Sequence, residues 1–127
     1  MAEHGVFYWN ELMTRDTEKA KEFYGQTLGW TFAEMPMEEG TYVVANLGDK
    51  PVAGIFPMIG PHFEGVPEHW FSYIAVDDVD ERLGLAKAHG GEIVRPPFDV
   101  PGVGRIAILK DVNGAAQGWM TPAETTG

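Results

Sequence analysis

Hydrophobic and polar positions along this chain follow two rhythms, a period of two that predicts strands and a period of three to four that predicts helices. Trp9, Glu11 and Met13 alternate with Asn10 and Leu12, so the first three share one face of a strand and Leu12 lies under whatever packs on the other. Asp16 or Thr17 can then cap a helix whose apolar residues Ala20, Phe23, Tyr24 and Leu28 recur at i, i+3, i+4 and i+8, and Gly29 stops it. Later in the chain His69, Phe71 and Tyr73 share a strand face opposite Ile74 and Val76. Asp78 precedes a second helix with Val79, Leu83 and Ala86 at i, i+4 and i+7, ended by Gly90-Gly91. Gly84 weakens that helix by ~1 kcal/mol relative to Ala, so packing has to hold it. Further strands are predicted at 41–47, 52–56, 92–94, 105–110 and 116–120, with Asn113-Gly114 as a hairpin turn.

These signals occur in the same order twice, from Phe7 to Pro57 and from Trp70 to Pro122, offset by about 64 residues. Each copy opens on an apolar strand ending in acidic turn residues, runs a short helix into glycine, and closes on Ala53-Gly54-Ile55-Phe56-Pro57 or Gln117-Gly118-Trp119-Met120-Thr121-Pro122. The expectation is an α+β chain of two tandem βαβββ modules, about 6–59 and about 69–122, forming a half-open mixed sheet with a cleft in a single domain, 1–127. Pro57 to Pro67, rich in Pro and Gly and without periodicity, reads as the connector. The tail from Pro122 to Gly127 is polar and reads as frayed.

Composition narrows the chemistry. The chain of 127 residues has no Cys, which removes disulfides, thiol nucleophiles and Cys-type zinc sites and fits a reducing cytoplasm. No apolar run approaches the ~20 residues of a membrane span, so a membrane partner is not expected. Nineteen acidic against nine basic residues, a net charge of −10, argue against nucleic acid and anionic membrane surfaces. That acidity serves solubility or the attraction of a cationic ligand.

The paired modules, the Phe23-Tyr24 pair and the Leu28-Gly29-Trp30 helix exit resemble the vicinal oxygen chelate superfamily, from about Val6 to Pro122. That superfamily contains glyoxalase I, extradiol dioxygenases, fosfomycin-modifying enzymes and bleomycin resistance proteins. The strings Trp9-Asn10-Glu11-Leu12-Met13-Thr14, Pro51-Val52-Ala53-Gly54, Val76-Asp77-Asp78-Val79 and Pro96-Pro97-Phe98-Asp99-Val100-Pro101-Gly102-Val103-Gly104-Arg105 look like its glyoxalase-like subgroup. In metal-using members four inward side chains ligate the ion, one from each of the first and last strands of the modules. The resemblance puts those positions on Trp9, Gly54, Phe71 and Gly118, none of which ligates through its side chain. A slip of two residues would keep the strand face and bring Glu11 and His69 in, still too few donors for a stable site. No cofactor is expected, and a divalent metal is disfavoured.

Each candidate has a functional and a structural reading. Trp9 is a ligand platform or a core residue; Met13, Phe71 and Tyr73 are ligand-binding wall. Glu11, an acid between large apolar neighbours, is a ligand-binding or base residue, or a hydrogen-bonded anchor of the fold. His69 pairs with Glu11 as a candidate acid-base couple or belongs to the surface or core. Arg105 contacts an anionic or carbonyl-bearing ligand or partners a carboxylate. Ser72, the chain's one serine, faces the helix side, so nucleophilic acyl chemistry has little basis. The leading expectation is a cytoplasmic homodimer that binds a small organic molecule in an aromatic-lined cleft without metal. The alternatives are a lyase or dioxygenase of the glyoxalase I type and a regulatory protein with a vestigial cleft.

Overall fold

The computed structural model describes residues 3–37 and 40–123, so the tail expectation falls at 124–127 outside the described residues. The chain divides into two compact units, one from Trp9 to Phe71 and one made of the stretches up to Tyr8 and from Ser72 onward. Each is α+β with parallel and antiparallel strand pairs. No helix among the described residues is long and apolar enough to cross a membrane.

The unit from Trp9 to Phe71 is built on β1 (Phe7–Thr14), α1 (Thr17–Leu28), β2 (Thr31–Pro36), β3 (Thr41–Leu47) and β4 (Lys50–Pro57). Its strands lie in the order β2-β3-β4-β1. β1 runs parallel to β4 with Glu11 opposite Gly54 and Leu12 opposite Ile55, while β3 is antiparallel to both β2 and β4. Leu12, Val43 and Ile55 form the core beneath α1, flanked by Ala20, Tyr24 and Phe32. Each such side chain, when fully buried, contributes roughly 1.5–3 kcal/mol. α1 itself buries no residue completely, and Phe23 and Leu28 of its predicted apolar stripe stay exposed. Its ends are therefore specified locally: the Asp16 carboxylate accepts from the Lys19 N–H, and Gly29 turns the chain out at φ 75°. A single turn of 3₁₀ helix, Pro61–Phe63, interrupts the connector.

The other unit contains β5 (His69–Ala75), α2 (Val79–Ala88), β6 (Glu92–Val100), β7 (Gly104–Lys110) and β8 (Ala116–Pro122), with the division falling inside β5 after Phe71. The strand order is β5-β8-β7-β6, β5 parallel to β8 and the rest antiparallel. α2 lays Val79 and Leu83 on Ala107 and Leu109, and Asp78 caps it by accepting from the Glu81 N–H. The β7–β8 turn centres on Asp111, whose Oδ1 accepts from the N–H groups of Asn113 and Ala115, with Gly114 at φ 90°.

Two strands extend past, or fall outside, the sequence reading. β6 continues from the expected 92–94 through Pro96 and Pro97 to Val100. Proline donates no ladder hydrogen bond, but β6 is an end strand of its unit, and its register against β7 shifts on both sides of Arg95. β2 carries little alternation in Thr31–Pro36 and is mostly exposed; its pairing with β3, from Thr31 opposite Asn46 to Pro36 opposite Thr41, makes it a strand.

Candidate functional site

On the unit from Trp9 to Phe71, strand alternation sends one set of side chains to α1 and the other to the opposite face. Leu12, Val43 and Ile55 take the helix side, so Trp9, Glu11 and Met13 of β1, Tyr42 of β3, and Gly54 and Phe56 of β4 share the other. Gly54 lies directly across from Glu11. A methyl group at Gly54 would overlap the Tyr42 hydroxyl and come within 3.1 Å of Trp9 Nε1. The glycine is thus the floor on which a phenol and an indole meet.

Trp9 Nε1 donates to the Tyr42 hydroxyl oxygen across 3.0 Å. Tyr42 is also hydrogen-bonded to Glu11, and Glu11 is only 7% exposed. Three polar groups from two strands therefore converge over Gly54. An indole N–H only donates, so the phenol oxygen accepts from Trp9 and its own O–H is left to donate to the carboxylate. The Tyr42 phenol is held well above the usual tyrosine range. Burial is the largest cause and the negative charge of Glu11 the second, while the Trp9 hydrogen bond works in the opposite direction. Tyr42 stays a protonated donor at any physiological pH.

An aromatic wall continues from this point. The Tyr42 and Phe56 rings are 6.4 Å apart, Phe56 and Phe63 6.3 Å, and Phe63 and His62 4.2 Å. Phe63 is held in place by a polar strap between the connector and the end of β1. The Glu68 carboxylate accepts from the Thr14 hydroxyl, the Arg15 N–H and the Arg15 guanidinium, which also donates to the Phe63 carbonyl. These donors, Thr14 first, pull the Glu68 carboxyl below its ordinary range. Tyr42, Phe56 and Phe63 were not among the residues singled out from sequence; extending the alternation of β3 and β4 to the face of Gly54 would have found the first two.

His69 Nδ1 is hydrogen-bonded with the Pro67 carbonyl at 2.8 Å, and its ring packs edge-on 6.3 Å from Phe71. In the second unit Tyr73 lies opposite Gly118 in the strand register, and its ring fills the space a side chain at Gly118 would need. Arg105 is engaged with carboxylates: it donates to both oxygens of Asp80, at 2.7 and 3.0 Å, and to Asp99 at 3.1 Å. That geometry agrees with the carboxylate-partner reading of Arg105 and ties the entry of β7 to the first turn of α2.

Gly54 and Gly118 offer no side-chain donor, and the volume a ligating side chain would occupy at each is taken by Tyr42 and Tyr73. Among the described residues no group of three or more His, Asp or Glu side chains is placed to hold a metal.

The hydrogen-bond direction is open to a spectrophotometric titration of tyrosinate. Glu11→Gln should lower the alkaline midpoint of Tyr42, because the carboxylate's charge opposes the phenolate, and Trp9→Phe should raise it, because the indole donor favours the phenolate. Midpoints that do not move in these opposite senses would contradict the arrangement.

Comparison with known proteins places this architecture. A family model described as Glyoxalase/Bleomycin resistance protein/Dioxygenase superfamily matches residues 7–116. The chain is 40% identical over 122 residues to the "Putative glyoxylase CFP32" of Mycobacterium tuberculosis, covering 95% of this chain and 46% of that protein. It is 32% identical over 141 residues to the anthracycline biosynthesis protein DnrV of Streptomyces peucetius, covering 97% and 51%. It thus spans about half the length of the curated relatives it matches. Among solved structures it resembles methylmalonyl-CoA epimerase from Mycobacterium tuberculosis, with a TM-score of 0.67 at 16% identity over 98% of this chain and 93% of the other. At that identity the likeness speaks for the fold alone. The chain belongs to the glyoxalase/bleomycin resistance protein/dioxygenase superfamily.

Proposed function

We propose that this protein binds a small organic molecule on the aromatic face around Glu11 and does so without a metal ion. The observation that carries the reading is the convergence of Trp9, Tyr42 and the buried Glu11 over Gly54, beside Phe56 and Phe63. A few convergent polar groups set in an apolar, aromatic surround are the usual anatomy of a small-molecule site. The net charge of −10 favours approach of a cation, and Glu11 supplies a charge inside the site to orient it. Flat guests stacked on Trp9 gain roughly 0.5–2 kcal/mol per ring beyond simple burial. The absence of cysteine supports a cytoplasmic location within the same reading.

A second reading is an enzyme, favoured by the word glyoxylase in the name of a 40% identical relative. Glu11 would then be the proton acceptor, held in place by Tyr42.

Three measurements test the proposal. A thermal-shift screen of flat cationic aromatic compounds should raise the melting temperature, and Trp9→Ala and Glu11→Gln should each abolish the shift while remaining folded. Turnover of methylglyoxal–glutathione adducts or of a catechol would replace the binding reading with the enzymatic one. Elemental analysis after dialysis should find no stoichiometric Ni, Zn, Fe or Mn; about one ion per chain, lost when Glu11 or His69 is replaced, would refute the metal-free reading. The protein is also proposed to be a homodimer, which would cover side chains such as Phe7 and Phe23, 72% and 58% exposed in the single chain. Light scattering should give twice the 14.0 kDa chain mass, and a monomer at micromolar concentration would exclude that assembly.

A further inference from the structure

We propose that residues Pro61 to Glu64 form a flap, hinged at Gly60 and Gly65, that lays Phe63 over the Phe56 end of the aromatic face, and that Arg15, set in place by Glu68, is its latch. The gating half of this inference rests on the small-molecule reading; the flap and its latch stand on geometry alone.

The hinges lie in the backbone. Gly60 adopts φ 110° and ψ 163°, a region essentially confined to glycine, and Gly65 adopts φ 79°. A Cβ at Gly65 would meet nothing within 4 Å, so conformation rather than space requires glycine there. Between the hinges the chain is braced by its own bonds. The Phe63 N–H donates to the Gly60 carbonyl at 3.3 Å, the Glu64 N–H to the Pro61 carbonyl at 3.1 Å and the Val66 N–H to the Phe63 carbonyl at 3.0 Å. All three stay inside the connector. Among the described residues, the hydrogen bond that runs from this turn to the body of the unit comes from Arg15, whose Nη2 donates to the Phe63 carbonyl. Nη1 of the same guanidinium donates to Glu68 at 2.9 Å. Glu68 is fixed in turn by the Arg15 N–H, also at 2.9 Å, and by the hydroxyl of Thr14, a residue only 6% exposed at the end of β1.

Pro61, His62 and Glu64 are exposed, and Phe63 is half-buried. The Phe63 ring meets Phe56 at 6.3 Å and, within the turn, His62 at 4.2 Å. A segment tied to its surroundings by a ring contact and one charge-assisted hydrogen bond sits at the low-stability end of a fold. Glycines at both ends can absorb the rotation as it lifts. Phe56, opposite Met13 in the strand register, belongs to the face of Trp9, Glu11 and Gly54, so the ring that lifts bounds that face.

Two experiments decide it. ¹⁵N relaxation dispersion, which reads microsecond-to-millisecond motion, should find exchange in the amides of residues 60–65 several-fold larger in Glu68→Ala and in Arg15→Met, which keeps the stem and removes the donors. Amides of β3 and β4 should keep their wild-type shifts, the check on folding. Arg15 and Glu68 side chains are 45% and 48% exposed, so exchange in the wild type should also grow from about 0.1 M to about 1 M NaCl, as the screening length falls from ~10 Å to ~3 Å. Exchange that ignores salt overturns the ionic latch, and a turn no more mobile in either variant than in the wild type overturns the flap. Stopped-flow release of proflavine, a flat fluorescent cation, should be about tenfold faster in Glu68→Ala, as expected for a lost hydrogen bond to a charged group. Because Glu68 acts through the Phe63 ring, the double variant with Phe63→Ala should release proflavine no faster than Phe63→Ala alone; additive effects overturn the positioning role of Glu68. A wild type that does not bind proflavine overturns the gating half together with the proposed function, whereas unchanged dispersion in the variants overturns the flap by itself.

Discussion

Glu11 is a carboxylate with 7% of its surface exposed, and a charge removed that far from water is tolerable only if it is well hydrogen-bonded. That requirement organises the face around it. Tyr42 is one of its neighbours, approaching from β3 across the intervening strand β4 because Gly54 leaves the path open. Trp9, two residues before Glu11 on the same face, then finds in the phenol the acceptor its indole N–H needs. One missing side chain thus allows three large ones to be satisfied at once, and it couples the acid to an aromatic surface.

A glycine in the last strand of each module has the same steric consequence by different routes. At Gly54 the vacant volume is filled from the antiparallel neighbour by Tyr42; at Gly118 it is filled from the parallel neighbour by Tyr73. In both cases a ring lies where a longer side chain would otherwise project. In the unit from Trp9 to Phe71 the face around Gly54 carries the indole–phenol hydrogen bond of Trp9 and Tyr42, the Phe56 ring and the buried Glu11.

The electrostatics away from this face are mainly structural. Arg15 and Glu68 strap the connector to the end of β1 and so locate Phe63 against Phe56. Arg105, forked between Asp80 and Asp99, joins β7 to the start of α2 and to β6. Exposed pairs of this kind contribute little stability individually, typically 0–1 kcal/mol; their effect is on which segments lie together.

Much of this was written in local pattern. The duplicated order of elements, the caps at Asp16 and Asp78, the exit at Gly29 and the face shared by Trp9, Glu11 and Met13 follow from periods of 3.6 and 2 and from short-range capping chemistry, which depend only on neighbours in sequence. The end strands did not: β2 and the Pro-containing half of β6 owe their conformation to a partner strand rather than to their own residues. Sequence also left two readings open for Arg105, and packing supplied the Asp80 and Asp99 oxygens 25 and 6 residues away that engage it. The acid at Glu11 was visible as an anomaly, but its partner was not, because Tyr42 is remote in sequence and meets it only through strand order and register. Sequence by itself determined which side chains share a face, since that is a property of one strand; only the tertiary structure decided which polar atoms touch, since that depends on how strands are laid side by side.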